Sequence, residues 1–226
     1  MTIARHVLFL NGSPKPGASS SRALGGYVLG RLVESGFDTA SLHLHTAVRT
    51  DEGRQQLIAA VDGADTIVLA SPLYVDSLPA PTIRALEIIG AHRQGLSNPT
   101  APAMIAIVNS GFPEPAQSLT ALAICRLFAR ASRMQWLGGL PIGGGGMIGG
   151  RPVRDVRPKL TRLIKALDLT ATAIVERHPL PDEVAKLLSR PPVPARFYSA
   201  IADLGFRQEV RRKGLKDRLM NQPYLK

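Results

Sequence analysis

Three short runs of residues carry the chemistry in this sequence. The first is Asn11-Gly12-Ser13-Pro14-Lys15-Pro16-Gly17-Ala18-Ser19-Ser20-Ser21, where the apolar stretch Leu8-Phe9-Leu10 empties into small and hydroxylated residues. Glycine lets backbone N–H groups approach an anion, serines add hydroxyl donors, and a helix beginning near Ser20 offers unpaired amides at its positive dipole end. Such a loop suits a phosphate, although an ordinary strand-to-helix turn uses the same residues, and neither GxxxxGK[ST] nor GxGxxG stands at this position. The other two runs, Ser71-Pro72-Leu73-Tyr74-Val75 and Asn109-Ser110-Gly111-Phe112, each follow an apolar stretch and end it in a loop.

Those runs need a scaffold that brings them to one place. Short apolar strands alternate with helical stretches, the pattern of a parallel sheet covered on both faces. Strands are expected at 6–11, 39–45, 65–70, 104–109 and 135–141, with helices at 20–34, 51–61, 81–92, 115–132 and 155–176. Asp51 is expected to cap its helix, Gly36 to stop the first one, and Pro72 to end pairing of the third strand. The reading is α/β: a doubly wound five-stranded parallel sheet of order 2-1-3-4-5. In such sheets ligands sit outside the carboxyl ends of the strands, where the order reverses. The loops 12–21, 71–77 and 109–112 fall at those ends and become neighbours.

Composition narrows the classes further. A chain of 226 residues with 45% hydrophobic content supports a sizeable core and excludes disorder throughout. No signal-like segment opens it and no apolar stretch reaches the roughly 20 residues of a membrane-spanning helix, so a soluble, cytoplasmic protein is expected. The single cysteine, Cys125, forms no internal disulfide and no cysteine-ligated zinc or iron–sulfur site within one chain; its neighbours read as the core face of a helix. The net charge of +11, from 28 Lys and Arg against 17 Asp and Glu, directs attention to anionic partners. It is spread along the chain without a nucleic-acid motif, so no nucleic-acid partner is expected.

The three runs, in this order and spacing, resemble the NAD(P)H-dependent FMN reductases of the flavodoxin-like fold, related quinone reductases included. The resemblance covers residues 7–176 and also takes in Leu78-Pro79-Ala80 behind the second run. It implies that Ser13, with Lys15 in the same loop, and Ser19, Ser20 and Ser21 hold the FMN phosphate. It further implies that Pro72, Leu73, Tyr74 and Val75 line the isoalloxazine, while Asn109, Ser110 and Gly111 meet its polar edge. The residue types suit that chemistry: hydride transfer needs a flat apolar slot and donors near the ring edge where negative charge collects, and no protein acid or base. No catalytic triad is therefore named. The loop lacks the Thr-Gly-Asn-Thr character of electron-carrier flavodoxins, which are usually acidic, and the compact cysteine motif of iron–sulfur flavoproteins is absent. An enzyme is favoured, with FMN as cofactor, NADPH or NADH as co-substrate, a small-molecule electron acceptor and a homodimeric state implied. The alternative is a non-enzymatic FMN- or phosphate-binding protein, a carrier or sensor.

Other features fall outside these runs. Gly143–Gly150 follows the fifth strand and reads either as a ligand-facing loop or as a mobile linker. Arg151 and Arg154 are placed to meet a nicotinamide nucleotide phosphate or to stay solvated. His43 and His45, alternating on the second strand, would share one face, with no third ligand nearby to complete a metal site. Arg126, Arg130 and Arg133 near a helix C-terminus are explained by the helix dipole. We divide the chain into a cofactor-binding domain, 1–180, and a basic, aromatic-containing extension, 181–226, with helices at 182–188 and 195–218 that dock on the body or on a second subunit.

Overall fold

Strand β1 (His6–Asn11) shows how the sheet is built, because its residues divide strictly between two cores. Val7 and Phe9 point to one, Leu8 and Leu10 to the other, and all four are buried. That alternation on an apolar strand requires helices on both faces. The computed structural model describes residues 5–97, 99–191, 195–215 and 221. Strands β2 (Asp38–His43), β3 (Thr66–Pro72), β4 (Ala103–Asn109) and β5 (Gln135–Ile142) complete a parallel sheet of order β2-β1-β3-β4-β5. The expected topology is the observed one.

Helices α1 (Ser20–Glu34) and α6 (Thr161–Glu176) cover one face through Leu24, Val28, Leu32, Leu163, Leu167 and Ile174. Helices α3 (Asp51–Asp62), α4 (Ala80–Gly95) and α5 (Leu119–Ala131) cover the other through Leu57, Val61, Leu86, Ile89, Leu122 and Cys125. Each fully buried aliphatic side chain contributes roughly 1.5–3 kcal/mol. Helix α1 lies so close to the sheet that a Cβ on Gly25 would sit 2.2 Å from the Phe9 ring. It stops as expected: Gly36 takes φ +82 and the Phe37 amide bonds back to Leu32 O at 3.0 Å.

Several boundaries differ from the sequence reading, each for a local reason. β2 ends at His43, and residues 44–47 turn into the short helix α2 (Leu44–Ala47), so His43 and His45 do not alternate on a strand. The cap of α3 is Thr50, whose hydroxyl oxygen accepts from the Gly53 amide at 3.0 Å, rather than Asp51. β3 runs two residues past Ala70 to Pro72, which still pairs with Asn109. Pairing with β1 has already ended at Asn11 and Ala70, and the nitrogen of Pro72 lies on that side, so its missing N–H breaks no ladder bond. Residues 115–118 and 153–159 form 3-10 turns ahead of α5 and α6 rather than extending those helices.

Helix α7 (Asp182–Leu188) packs on the first core through Val184 and Leu188, and the Leu180 amide donates to Leu137 O at 2.7 Å. From residue 193 the chain forms a second unit, containing α8 (Ala195–Arg212). Within it Arg207 and Asp203 pair at 2.9 Å one turn apart. Residues 216–218 of the helix expected at 195–218 lie outside the described residues.

One charged side chain is built into the base of the sheet. Arg93, 1% exposed, donates through Nε to Ser132 O at 2.8 Å and through a second nitrogen to Thr100 O, while Asp62 stands 3.7 Å away. It ties the segments that lead into β4 and β5 to α4. Arg93→Ala strands the buried Ser132 carbonyl and removes the tie to the Thr100 carbonyl, so about 1–3 kcal/mol of stability should be lost. Urea denaturation will read this as a lower midpoint at unchanged slope, and Arg93→Lys should recover only part of it.

Candidate cofactor site

At the carboxyl end of β1 the chain is pinned residue by residue. The Gly12 amide donates to Ala70 O at 2.8 Å, continuing the β1–β3 ladder by one step. Thr82 Oγ1 donates to Gly12 O at 3.0 Å, and His43 Nε2 lies 2.6 Å from Ser13 O. A carbonyl only accepts, so the proton of that imidazole sits on Nε2. The Ser13 amide donates to Asn11 Oδ1 at 3.1 Å and the Lys15 amide to Ser13 Oγ at 3.3 Å, two side-chain-closed turns in succession. Gly12 is held too tightly for a side chain: a Cβ would lie 2.7 Å from Thr82 Oγ1 and 2.8 Å from Ser71 Oγ. Beyond Pro16 the amides of residues 17–21 make no hydrogen bond to any described residue, and Gly17 opens onto free space. Lys15 is exposed beside them.

The serine cluster divides its labour. Ser19 is the cap of α1, its hydroxyl oxygen accepting from the Arg22 amide at 3.2 Å. Ser20 reaches across to donate to Gly145 O at 2.7 Å. Ser21, 1% exposed, donates to Asn109 Oδ1 at 2.7 Å. Two hydroxyls of the cluster therefore join the first run to the end of β4 and to the glycine-rich segment. That segment is folded onto both loops: the Gly145 amide donates to Ser110 O at 2.8 Å and the Gly144 amide to Phe112 O at 2.7 Å. A Cβ on Gly150, which has φ +76, would sit 2.9 Å from Ala18 C and Ser19 N. Only glycine permits both that φ and that approach.

The second run forms the apolar side. Pro72 and Leu73 are half-buried, Leu73 against the second core, and the Leu73 amide donates to Asn109 O at 2.8 Å. Tyr74 and Ser77 exchange both backbone hydrogen bonds, 2.8 and 3.0 Å, around Val75 and Asp76 at φ +47 and +57. Such a two-residue hairpin favours Asn-Gly, and a β-branched residue there is strained by about 1–3 kcal/mol. The turn projects Val75 into solvent at 98% exposure, with Tyr74 at 49%. In the third run, the Ser110 amide is used by Ile142 O at 2.9 Å and its hydroxyl donates to Phe112 O at 3.0 Å. Gly111 and Phe112 are exposed. All twelve residues singled out by sequence thus lie on loops, on strand ends or in the first turn of α1, on the carboxyl-end side of the sheet.

The remaining candidates resolve differently. Arg151 closes the glycine segment by donating to Met147 O at 2.9 Å. Arg154 pairs with Glu34 at 2.7 Å and lies over the Tyr27 ring. That hydrogen bond is the main reason the Glu34 carboxyl is held below its usual range. Both arginines are engaged with the protein rather than standing free. Among the described residues no group of His, Cys, Asp and Glu could hold a metal ion, and no helix is long and apolar enough to cross a membrane. Sequence reasoning missed His43 and Thr82 as anchors of the first loop. Thr82 carried a signal, a polar residue on the apolar face that continues through Ala85, Leu86 and Ile89.

The strand order, with a mouth at the carboxyl ends of β1, β3 and β4 that has unpaired amides on one side and an apolar lip on the other, is that of a doubly wound α/β protein of the flavodoxin-like order. The chain belongs to the NADPH-dependent FMN reductase family, whose model matches residues 5–178. Among solved structures it is similar to an FMN-dependent NADH-azoreductase from Bacillus anthracis in complex with FMN. That match has 13% identity and a TM-score of 0.54, covering 75% of this chain and 99% of that one. An oxidoreductase from Corynebacterium diphtheriae matches at 17% identity and a TM-score of 0.52, over 76% and 98% of the two chains. The apo form of an NADH:FMN oxidoreductase matches at 16% identity and a TM-score of 0.51, over 84% and 97%. These likenesses concern the fold. Among curated proteins none matches the sequence.

Two measurements follow from the buried groups. Ser21→Ala leaves Asn109 Oδ1 without its donor in a position 7% exposed, and should cost about 1–3 kcal/mol of stability by denaturation. Burial pushes the Cys125 thiol from its ordinary 9.0 up to about 12, so in the folded chain it stays protonated and inert. The unfolded chain loses this proton first. The contribution of Cys125 is therefore constant below about pH 9 and declines as pH rises toward about 12. Wild type should show that additional alkaline slope over Cys125→Ala.

Proposed function

We propose that this protein binds FMN non-covalently at the mouth and oxidises NADH or NADPH, delivering the electrons to free flavin, a quinone or a similar small acceptor. The observation that carries the reading is the run of unpartnered amides at 17–21, set beside the apolar lip of Tyr74 and Val75 in one mouth. The residues fit the cofactor. Amides of residues 17–21 and the exposed Lys15 offer donors and charge for a phosphate, as at other helix starts. Pro72, Leu73, Tyr74 and Val75 offer apolar surface for a planar ring, and Asn109 and Gly111 stand at its polar margin. Bound FMN supplies the hydride-accepting ring and the redox chemistry. Ser20 and Ser21 act one step back, fixing the glycine segment and Asn109 in place. His43 and Thr82 turn the Gly12 and Ser13 carbonyls away from a phosphate whose charge they would oppose.

Homodimerisation belongs to the same reading. Val75 and Tyr74 after β3, and Phe112 after β4, leave apolar side chains exposed near the two strand ends, at 98%, 49% and 64%. A second copy covering that lip would also shield the ring from water.

Fluorescence titration of the purified chain with FMN tests the reading first. Saturable quenching with one FMN per chain is expected, followed by NADH or NADPH oxidation that depends on added acceptor. Absence of flavin binding overturns the proposal, and flavin binding without nicotinamide oxidation moves it to a carrier or sensor. His43→Ala should raise the FMN dissociation constant about tenfold, equivalent to about 1.4 kcal/mol, because the Ser13 carbonyl loses its anchor.

A further inference from the structure

Behind the glycine segment, at the carboxyl end of β5, lies a second cavity of about 280 Å³. Its volume is at the lower end of small-molecule pockets, enough for a fragment-sized ligand. Ile142, Ile148, Leu163 and Leu188 form its walls, and Arg162 and Arg190 stand at its rim. The space is fixed by the backbone rather than left by loose packing. Gly143 runs so close to the 113–115 segment that a Cβ would meet Pro113 O at 2.1 Å, and Gly144 holds φ +68, so neither position accepts a side chain that would fill the cavity.

The rim is unbalanced in charge. Neither Arg162 nor Arg190 has a carboxylate partner among the described residues; Arg162 donates only to Pro191 O at 3.1 Å. On α7, Glu183 is already paired with Lys165 at 2.6 Å. An aliphatic cavity under two uncompensated guanidinium groups is complementary to one kind of occupant. A neutral apolar molecule gains nothing from the guanidinium groups, which stay hydrated, and a small hydrophilic anion gains nothing from the aliphatic walls.

We propose that this cavity is a second small-molecule site, which takes an amphipathic organic anion with its apolar body against Ile142, Ile148, Leu163 and Leu188 and its carboxylate between Arg162 and Arg190. The site is independent of the flavin reading, and shares with that mouth only the segment from Gly143 to Ile148. Sodium octanoate is the probe, with 1-octanol and sodium acetate as its apolar and charged halves. Methyl-detected NMR titration of the full chain should give saturable shifts centred on Ile142, Ile148, Leu163 and Leu188. Octanoate should bind at least about tenfold tighter than octanol, and acetate should leave these methyls unmoved. In Arg162→Gln/Arg190→Gln, whose side chains are exposed and whose folding is checked by circular dichroism, that preference should shrink to about twofold or less. Lack of saturation, equal binding of octanol and octanoate by wild type, an unchanged preference in the double variant, or shifts centred elsewhere would overturn the proposal. The comparison within wild type decides the matter even if the variant misfolds.

Discussion

Everything at the mouth depends on where the Gly12–Ser13 peptide is held. The Gly12 amide extends the β1–β3 ladder to Ala70, and its carbonyl is drawn off by Thr82 while the next is drawn off by His43. With both carbonyls taken by side chains from α4 and β2, the loop has one way left to continue. It runs through two prolines and emerges with successive amides unsatisfied at residues 17–21. Unpaired donors beside a helix start are costly when buried and useful when an anion can reach them. The absence of a side chain at Gly12 makes the arrangement possible, because Thr82 and Ser71 occupy the space a Cβ would need.

The same constraint distributes roles among the serines. A cluster of three hydroxyls invites the reading that all three contact a phosphate. In the structure the hydroxyl of Ser19 caps the helix, that of Ser20 holds Gly145 and that of Ser21 holds Asn109. In the proposed reading phosphate recognition falls to the backbone, while the hydroxyls of Ser20 and Ser21 hold the neighbouring segments in place. This division is physically economical: amides at a helix start are already oriented and lose no rotamer freedom on binding, whereas a serine hydroxyl must be fixed. It also explains why the glycine segment lies where it does, clasped by Ser20 on one side and bonded to Ser110 and Phe112 on the other.

The sheet was legible in the sequence because its signals are local. Apolar runs such as 104–108, bounded by Asn109 and Ser110, identify a buried strand and its end without any knowledge of neighbours. The order of strands and the position of the mouth followed from that alternation. What was not legible depended on contacts across the fold. The metal-like pair His43 and His45 dissolved because β2 stops at His43, and that stop is set by the turn into α2 rather than by strand propensity. Arg151 and Arg154 read as free cations because their acceptors, Met147 O and the Glu34 carboxylate, lie in other turns or other elements. Pro72 read as a strand breaker because proline lacks an N–H, but the side on which that donor is missing faces a strand that has already ended.

The lip formed by the second run shows a different kind of dependence. Val75 and Asp76 sit at positive φ, which local propensity opposes, and the turn survives because both ends are fixed. Leu73 and Leu78 are anchored in the second core, and Tyr74 and Ser77 lock the pair of backbone hydrogen bonds between them. A more relaxed turn, Asn-Gly for instance, would close the same hairpin without strain but would remove the branched apolar side chain at its tip. Strain retained at a fully exposed position has no compensation inside the single chain. In the proposed reading its physical sense lies in contact with a planar ring or with a second copy. Rigid presentation of an apolar edge reduces the entropy that binding either of them would cost.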